Sequence, residues 1–361
     1  MTAKQIMNVL GDMFNGVWKR HLVNLALMIF AVSEVRRLSV TAIGRGLRGR
    51  TSPKHSIKRI DRFLSNPRFD DRTMQEALVR AVIGNRTRVL VAVDWTKYRE
   101  WPALVASVVH RGRGIPVMWS VMDERKLYKS QNAFEHGFFR WLKSALPGRV
   151  QAIVLLDRGF KRVELARQLL RLGLDFIIRT GNNVHVHSSQ YVGPIEGLVQ
   201  RRGQVADVPD AAMRESRPVR VRVVGLWERK QREPWLLMTS LSRESVTELA
   251  RMYGRRFRIE ETFRDEKDAR FGLYLGHVKV TRADRLERLM LIAALVHFFA
   301  MLVGAEARRQ GLDRGFRANT VRHKATHSDF TLGIYYFSRL RVNFALLLVL
   351  FLAEAKEVFG G

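Results

Sequence analysis

The sequence predicts a mixed α/β protein with helical N-terminal and C-terminal regions around a strand-rich middle. Three observations carry that expectation. The first 85 or so residues place apolar side chains at helical spacing between cation-rich turns. From Arg88 the texture changes to short Val/Ile/Leu runs bounded by Gly, Pro and Asp. Beyond Thr281 helical periodicity returns, and the apolar run Leu289 to Val303 reads as a buried core helix. It is interrupted by His297 and is shorter than a membrane span requires. A second apolar run, Phe344 to Ala353, is shorter still.

In the N-terminal region, Leu22 to Val32 suits a buried helix. Ser39 can cap a helix through about Leu47, and Gly46 and Gly49 loosen the turn RGRTS. Ser52 and Pro53 form an N-cap and first-turn pair. The helix that follows, PKHSIKRIDRFL, has two faces. Ile57, Ile60, Phe63 and Leu64 take one; Lys54, Lys58, Arg59 and Arg62 take the other. Between Arg36 and Arg62 nine Lys/Arg stand against one acid, Asp61. Helix, glycine-containing turn and basic helix over 38–64 make a helix-turn-helix-like pattern, in which the cations suit phosphate contact better than base readout. A solvated basic helix with no partner would show the same pattern.

The middle predicts strands at Val89–Trp95, Leu104–His110 and Ile115–Met122, with Arg111 to Gly114 as a hairpin turn. A helix over Asn132–Leu146 stops at Pro147-Gly148. A strand over Val150–Leu156, a helix over Lys161–Leu172 ending at Gly173, and a strand from Phe176 to Arg179 follow. Three strands, helix, strand, helix, strand is the order of an RNase H-like core. From Gly181 to Thr239 the pattern breaks into a β-rich insertion with alternating runs such as VRVRVVGLW. Trp235-Leu-Leu-Met-Thr brings the chain back as a strand, and one long helix is expected from about Val246 to Ala269. The expected organisation is a helical DNA-binding domain (1–85), the first part of the core (86–180), the insertion (181–239), the second part of the core (240–280) and a helical C-terminal region (281–361), suited to dimerisation or DNA contact.

Charge narrows the partner. Lys+Arg number 63 against 34 Asp+Glu, a formal net charge of +29. Such a field favours a polyanion, nucleic acid first. The absence of cysteine excludes disulfides and thiolate metal sites and fits a reducing compartment. Ten histidines lack metal-site spacing; His185 and His187 alternate in an expected strand, a pattern more often of surface residues than of ligands. The first residues carry no signal-peptide pattern. A soluble, cytoplasmic protein with neither a membrane nor a small-molecule partner is expected.

The acids narrow the chemistry. Asp94 and Asp157 each follow an apolar strand. If those strands are parallel neighbours, both carboxylates emerge at one carboxyl edge of the sheet, where open α/β sheets bind ligands. Two acids there repel unless a cation lies between them, and oxygen ligands suit Mg²⁺. Either acid alone could equally be a turn or cap residue. In YGRRFRIEETFRDEK, Tyr253, Arg256, Glu260 and Lys267 have offsets that place them at roughly 0°, 300°, 340° and 320° around a continuous helix. Glu261 falls at roughly 80° and leaves the stripe. The stripe suits an acid held beside metal and phosphates; a salt-bridged helix face is the simpler alternative. Glu260 would be the third carboxylate, Arg256 and Lys267 would meet phosphates, and Tyr253 a phosphate or a sugar. Trp235 is a core aromatic or a platform for an unpaired base.

Tyr-x2-Arg-x3-Glu-x6-Lys resembles the YREK signature of bacterial insertion-sequence DDE transposases, the insertion-sequence-four family. Tyr253, Arg256, Glu260 and Lys267 fit its spacing without a gap. Asp94 in AVDWTKYRE and Asp157 in LLDRGFK look like its first two catalytic acids. KHSIKRIDRFL, EPW, IEETFRD and RANTVR extend the likeness over about Leu22 to Gly333. The resemblance implies an RNase H-like catalytic core interrupted by a β insertion after the second aspartate. It implies two Mg²⁺ ions, replaceable by Mn²⁺, held by Asp94, Asp157 and Glu260. It implies DNA nicking, hairpin formation and opening, strand transfer, and a homodimer bridging two terminal inverted repeats before joining them to target DNA. By its place before LLMT, Trp235 matches the tryptophan that handles the flipped base, and the setting is the bacterial cytoplasm at the nucleoid. A structure-selective nuclease without strand transfer, or a DNA-end-binding protein without catalysis, are the alternatives.

Overall fold

The computed structural model describes residues 1–49, 51–127, 130–181, 184–213, 218–270, 272–317, 320 and 325–340. The expected apolar run Phe344 to Ala353 lies outside them, as do parts of RGRTS and RANTVR.

Five helices come first: α1 (Ala3–Met13), α2 (Lys19–Val35), α3 (Val40–Gly46), α4 (Pro53–Leu64) and α5 (Asp71–Ile83). Ser39 caps α3 as expected, its hydroxyl accepting from the Ala42 N–H at 3.2 Å. Ser52 precedes Pro53 at the start of α4, but its hydroxyl pairs with His55 Nδ1 at 2.8 Å and caps no backbone donor. The two faces of α4 sort as the pattern predicts. Ile60, Phe63 and Leu64 are buried, and Lys54, Lys58, Arg59 and Arg62 are exposed. α3 and α4 approach so closely that a Cβ on Gly44 would lie 2.6 Å from Ile57 Cα.

The middle of the chain builds one ten-stranded mixed sheet. Its strands are β1 (Arg88–Tyr98), β2 (Trp101–His110), β3 (Arg113–Val121), β4 (Gln151–Leu156), β5 (Asp175–Arg179), β6 (His185–His187), β7 (Val192–Pro194), β8 (Val205–Met213), β9 (Val219–Leu226) and β10 (Trp235–Thr239). Their spatial order is β3-β2-β1-β4-β5-β10-β9-β8-β6-β7. β1, β4 and β5 run parallel, while β2 and β3 form antiparallel hairpins beside β1. The strands after Gly181 continue the same sheet, because β10 pairs with β5 on one side and β9 on the other.

α6 (Glu124–Leu127), α7 (Gln131–Ala145) and α8 (Val163–Leu172) lie between β3 and β5 in the chain. Gly173 ends α8 with φ +62°, a left-handed conformation that glycine adopts without steric cost. The expected single helix from Val246 to Ala269 is three pieces. They are α9 (Val246–Gly254), a 3-10 turn Arg255–Phe257 and α10 (Arg258–Lys267). Gly254, a weak helix former, stands at the break.

α11 (Ala283–Arg309) contains the Leu289–Val303 run. It is long and apolar enough to cross a membrane, yet 94% of its most apolar window is buried inside the protein, as a core helix should be. α12 (Asp329–Tyr336) crosses it at backbone contact: a Cβ on Gly304 or Gly333 would lie 1.7 Å from a carbonyl oxygen of the other helix. Arg285 and Arg288 of α11 hold α4, reaching Asp61 Oδ1 and the Leu64 carbonyl, each at 2.7 Å. The N-terminal helices are therefore fixed to the same core that carries the sheet.

Candidate active site

The site is built where β1, β4 and α10 meet. β1 pairs with β4 from Arg88↔Gln151 to Ala92↔Leu155, so two steps further in the same register stand Asp94 and Asp157. The sheet thus brings both expected acids to one edge. Asp94 differs from expectation in one respect: β1 does not end there. It runs on to Tyr98, because β2 continues to pair with it beyond the end of β4, with Asp94↔Val105 and Tyr98↔Trp101 in register. Asp157 follows β4, and its Oδ1 accepts from the Gly159 N–H at 2.8 Å, so it is also a cap residue.

α10 is docked at two points. The Thr262 hydroxyl accepts from the Gly114 N–H at 3.0 Å and donates to the Gly114 carbonyl at 2.7 Å. Arg113 Nε donates to Asp265 Oδ2 at 2.7 Å. These contacts orient the preceding turn so that the buried Arg256 faces Asp94. Arg256 Nη1 donates to Asp94 Oδ2 at 3.0 Å, and Nη2 donates to Glu260 Oε1 at 2.8 Å. One guanidinium therefore links two of the three expected acids. Lys267 reaches the same strand two residues on, donating to Thr96 Oγ1. Its ammonium also lies 5.0 Å from the Tyr98 ring centroid.

Electrostatics show strain at Asp94. Burial pushes its carboxyl up to about 6; Arg256 opposes the rise, while Asp157 and Glu260 add to it. Burial lowers the Lys267 ammonium, with Glu266 and Asp94 pulling it back. Asp94, Asp157 and Glu260 are hard oxygen donors whose charges repel, a set that suits a divalent cation. As they stand, no three His, Cys, Asp or Glu side chains among the described residues converge closely enough to hold a metal. Glu260 is turned toward Arg256, and its side chain is 52% exposed. It has the freedom to turn further.

Tyr253 is the stripe residue that departs most from expectation. A 3-10 residue turns about 120° where an α residue turns about 100°, so the Arg255–Phe257 turn rotates Tyr253 by roughly 60° relative to Glu260. Its ring is fully buried, edge-on to Trp235 with centroids 5.1 Å apart. Its hydroxyl lies near Arg256 but meets no partner at hydrogen-bond geometry. A contact to phosphate would need the cluster to open. Trp235 is half-buried, with its ring centroid 5.1 Å from that of Tyr253 and 6.2 Å from that of Phe257. The α4 cations Lys54, Lys58, Arg59 and Arg62 are exposed, on the helix that Arg285 and Arg288 anchor.

Several residues of the site have no sequence signal of their own. Glu266 is fully buried beside Lys267, accepts from Tyr98 Oη at 2.5 Å and is raised by burial to about 7. Glu135 is buried beneath Trp95 and accepts from its indole N–H at 2.8 Å. The run IEETFRDEK holds acids on every side of the helix, and only the docking of α10 shows which face β1.

No curated protein matches the chain. The family model for the transposase DDE domain matches residues 125–299, a span that includes Asp157, Trp235 and the Tyr253–Lys267 segment but not Asp94 or α4. That family implies DNA as partner and divalent metal ions in catalysis. The match supports a transposase of the DDE family.

Proposed function

We propose that this chain is a cut-and-paste transposase of an insertion sequence. It binds terminal inverted repeats, excises the element by nicking and hairpin formation, and joins the freed 3′ ends to target DNA. The fold reading that goes with it is an RNase H-like core, supported by the order β3-β2-β1-β4-β5 with its parallel β1-β4-β5 unit. Within the DDE transposases the YREK spacing supports the insertion-sequence-four family, with a likeness to the transposase of the tetracycline-resistance transposon. The single observation that carries the proposal is the β1–β4 register, which sets Asp94 and Asp157 at one sheet edge with Glu260 joined to Asp94 through Arg256.

Asp94, Asp157 and Glu260 would hold the divalent ions, Mg²⁺ or Mn²⁺. Bound there, the ions would supply Lewis-acid stabilisation of the attacking and leaving oxygens in phosphoryl transfer. Arg256 holds Asp94 and Glu260 in place and neutralises their charge until DNA arrives. Lys267 presents an ammonium to the same strand and is suited to a phosphate beside the reacting bond. Lys54, Lys58, Arg59 and Arg62 place the duplex, and Trp235 supports an unpaired base at the hairpin. A homodimer would bridge the two ends.

The test is an assay on supercoiled DNA carrying the repeats that flank this gene, with Mg²⁺ and a target plasmid. Excision and joining of 3′ ends support a transposase. Hydrolysis without joining would indicate a nuclease. Binding that persists in EDTA, with no metal-dependent product, would indicate an end-binding protein.

A further inference from the structure

We propose that Glu135 is a positioning residue that couples the two aspartate-bearing segments of the site; the proposal rests on the catalytic reading above. Glu135 lies on α7, away from all three acids in the sequence, and is completely buried. A buried carboxylate is costly unless several donors meet it. Three do, from three segments. Trp95 Nε1 donates to Oε1 at 2.8 Å, Gln131 Nε2 donates to Oε1 at 2.9 Å, and Arg162 Nη2 donates to Oε2.

Two of these donors come from the segments that carry the acids. Trp95 follows Asp94, and its backbone N–H donates to Asp94 Oδ1 at 2.8 Å. Fixing the indole therefore fixes the amide that orients Asp94. The indole also stacks on Phe134 of α7, with centroids 5.6 Å apart. Arg162 ends the turn that begins at Asp157; its own N–H donates to the Phe160 carbonyl at 2.8 Å, while Asp157 Oδ1 holds the Gly159 N–H. One side chain thus ties the backbone after the first aspartate to the backbone after the second. β1 and β4 pair only as far as Ala92↔Leu155, so neither acid lies within that ladder. Glu135 supplies a link beyond the point where the strand pairing ends.

Glu135→Gln keeps an acceptor for Trp95 but discharges the partner of Arg162. Trp95→Phe keeps the stack on Phe134 but removes the indole donor. Each is expected to raise the Mg²⁺ concentration for half-maximal DNA cleavage about 10–100-fold, the usual consequence of removing a residue that orients metal ligands. The double variant should be no worse than the more damaging single one, because the two arms act as one unit. A purely structural role would lower the melting temperature and leave the Mg²⁺ requirement unmoved. Folded variants with a wild-type Mg²⁺ requirement, or single effects that multiply, would overturn the proposal.

Hydrogen exchange on the full-length chain without metal gives a second readout. Either substitution should loosen residues 93–97 and 157–162 together. Loosening of one segment alone, or of neither, would also overturn it. If the wild type cuts no DNA at all, the catalytic reading fails, and exchange still decides the coupling.

Discussion

α4 and the Arg256–Lys267 segment are the two cation-bearing helical stretches that the sequence singles out, and the fold uses their cations in opposite ways. On α4, Lys54, Lys58, Arg59 and Arg62 all face solvent, and the apolar side alone is buried. Around α10, Arg256 is 5% exposed and held between carboxylates, while Lys267 is partly buried against β1. Exposed cations form a diffuse field that salt screens; buried ones are fixed charges whose geometry matters. The first arrangement suits recognition of a phosphate backbone, and the second suits control of a few atoms.

The largest expected effect lies in the buried set. Arg256→Ala leaves Asp94 buried beside Asp157 without its partner, and the cost should be on the order of 3 kcal/mol of stability, read by chemical denaturation. Arg256→Lys keeps the charge but cannot span Asp94 and Glu260 as the planar fork does, so it should recover stability better than cleavage. Equal recovery of both would mean that the fork geometry is unimportant.

Replacing all four α4 cations by alanine should leave the melting temperature nearly unchanged. The slope of log K for duplex DNA against log salt should shrink by about 3.6 if all four meet phosphates. An unchanged slope would remove α4 from the interface and leave its cations as a solvated face.

A smaller effect separates buried acids from exposed ones by pH. Burial raises Glu287 to about 7, with Asp71 and Asp284 adding to the rise and the Val121 N–H opposing it. An acid raised in the folded state contributes stability that is complete below its unfolded value of 4.5 and is lost as pH rises through about 7. Asp71, Asp94 and Glu266 are raised in the same direction. Burial lowers His110 and His297 to about 3, so these two act in the opposite direction below their unfolded value of 6.5, and a single-residue variant is needed to isolate the acids. Glu287→Gln should raise the melting temperature by about 2–4 °C at pH 8 and change it little at pH 5. Breaking the exposed Lys97–Glu124 pair should shift stability by less than about 0.5 kcal/mol at either pH.

Much of the architecture was legible because its signals are local. Apolar runs marked β1, β4 and α11, and glycine marked the end of α8. The two faces of α4 followed from spacing alone. What was not legible depends on partners distant in sequence. Asp94 seemed to end a strand because the apolar run stops there, but β2 keeps the ladder going to Tyr98. The single long helix is interrupted at Arg255–Phe257, and Tyr253, which even spacing had placed beside Glu260, is buried against Trp235. Glu135 and Glu266 carry no local signal that marks them as buried. Their burial comes from Trp95, Arg162 and Tyr98, 27 to 168 residues away.

The central claim is that Asp94, Asp157 and Glu260 act together on DNA with a divalent ion. Its most direct test is the Mg²⁺-dependent cleavage rate on DNA carrying the flanking repeats, for the wild type and for Asp94→Ala, Asp157→Ala, Glu260→Ala and Glu261→Ala. Loss of all metal-dependent product in the first three, with Glu261→Ala still cutting, is the predicted result. Cleavage at the wild-type rate by the three variants would contradict the account, and loss in Glu261→Ala with Glu260→Ala active would move the third acid by one residue.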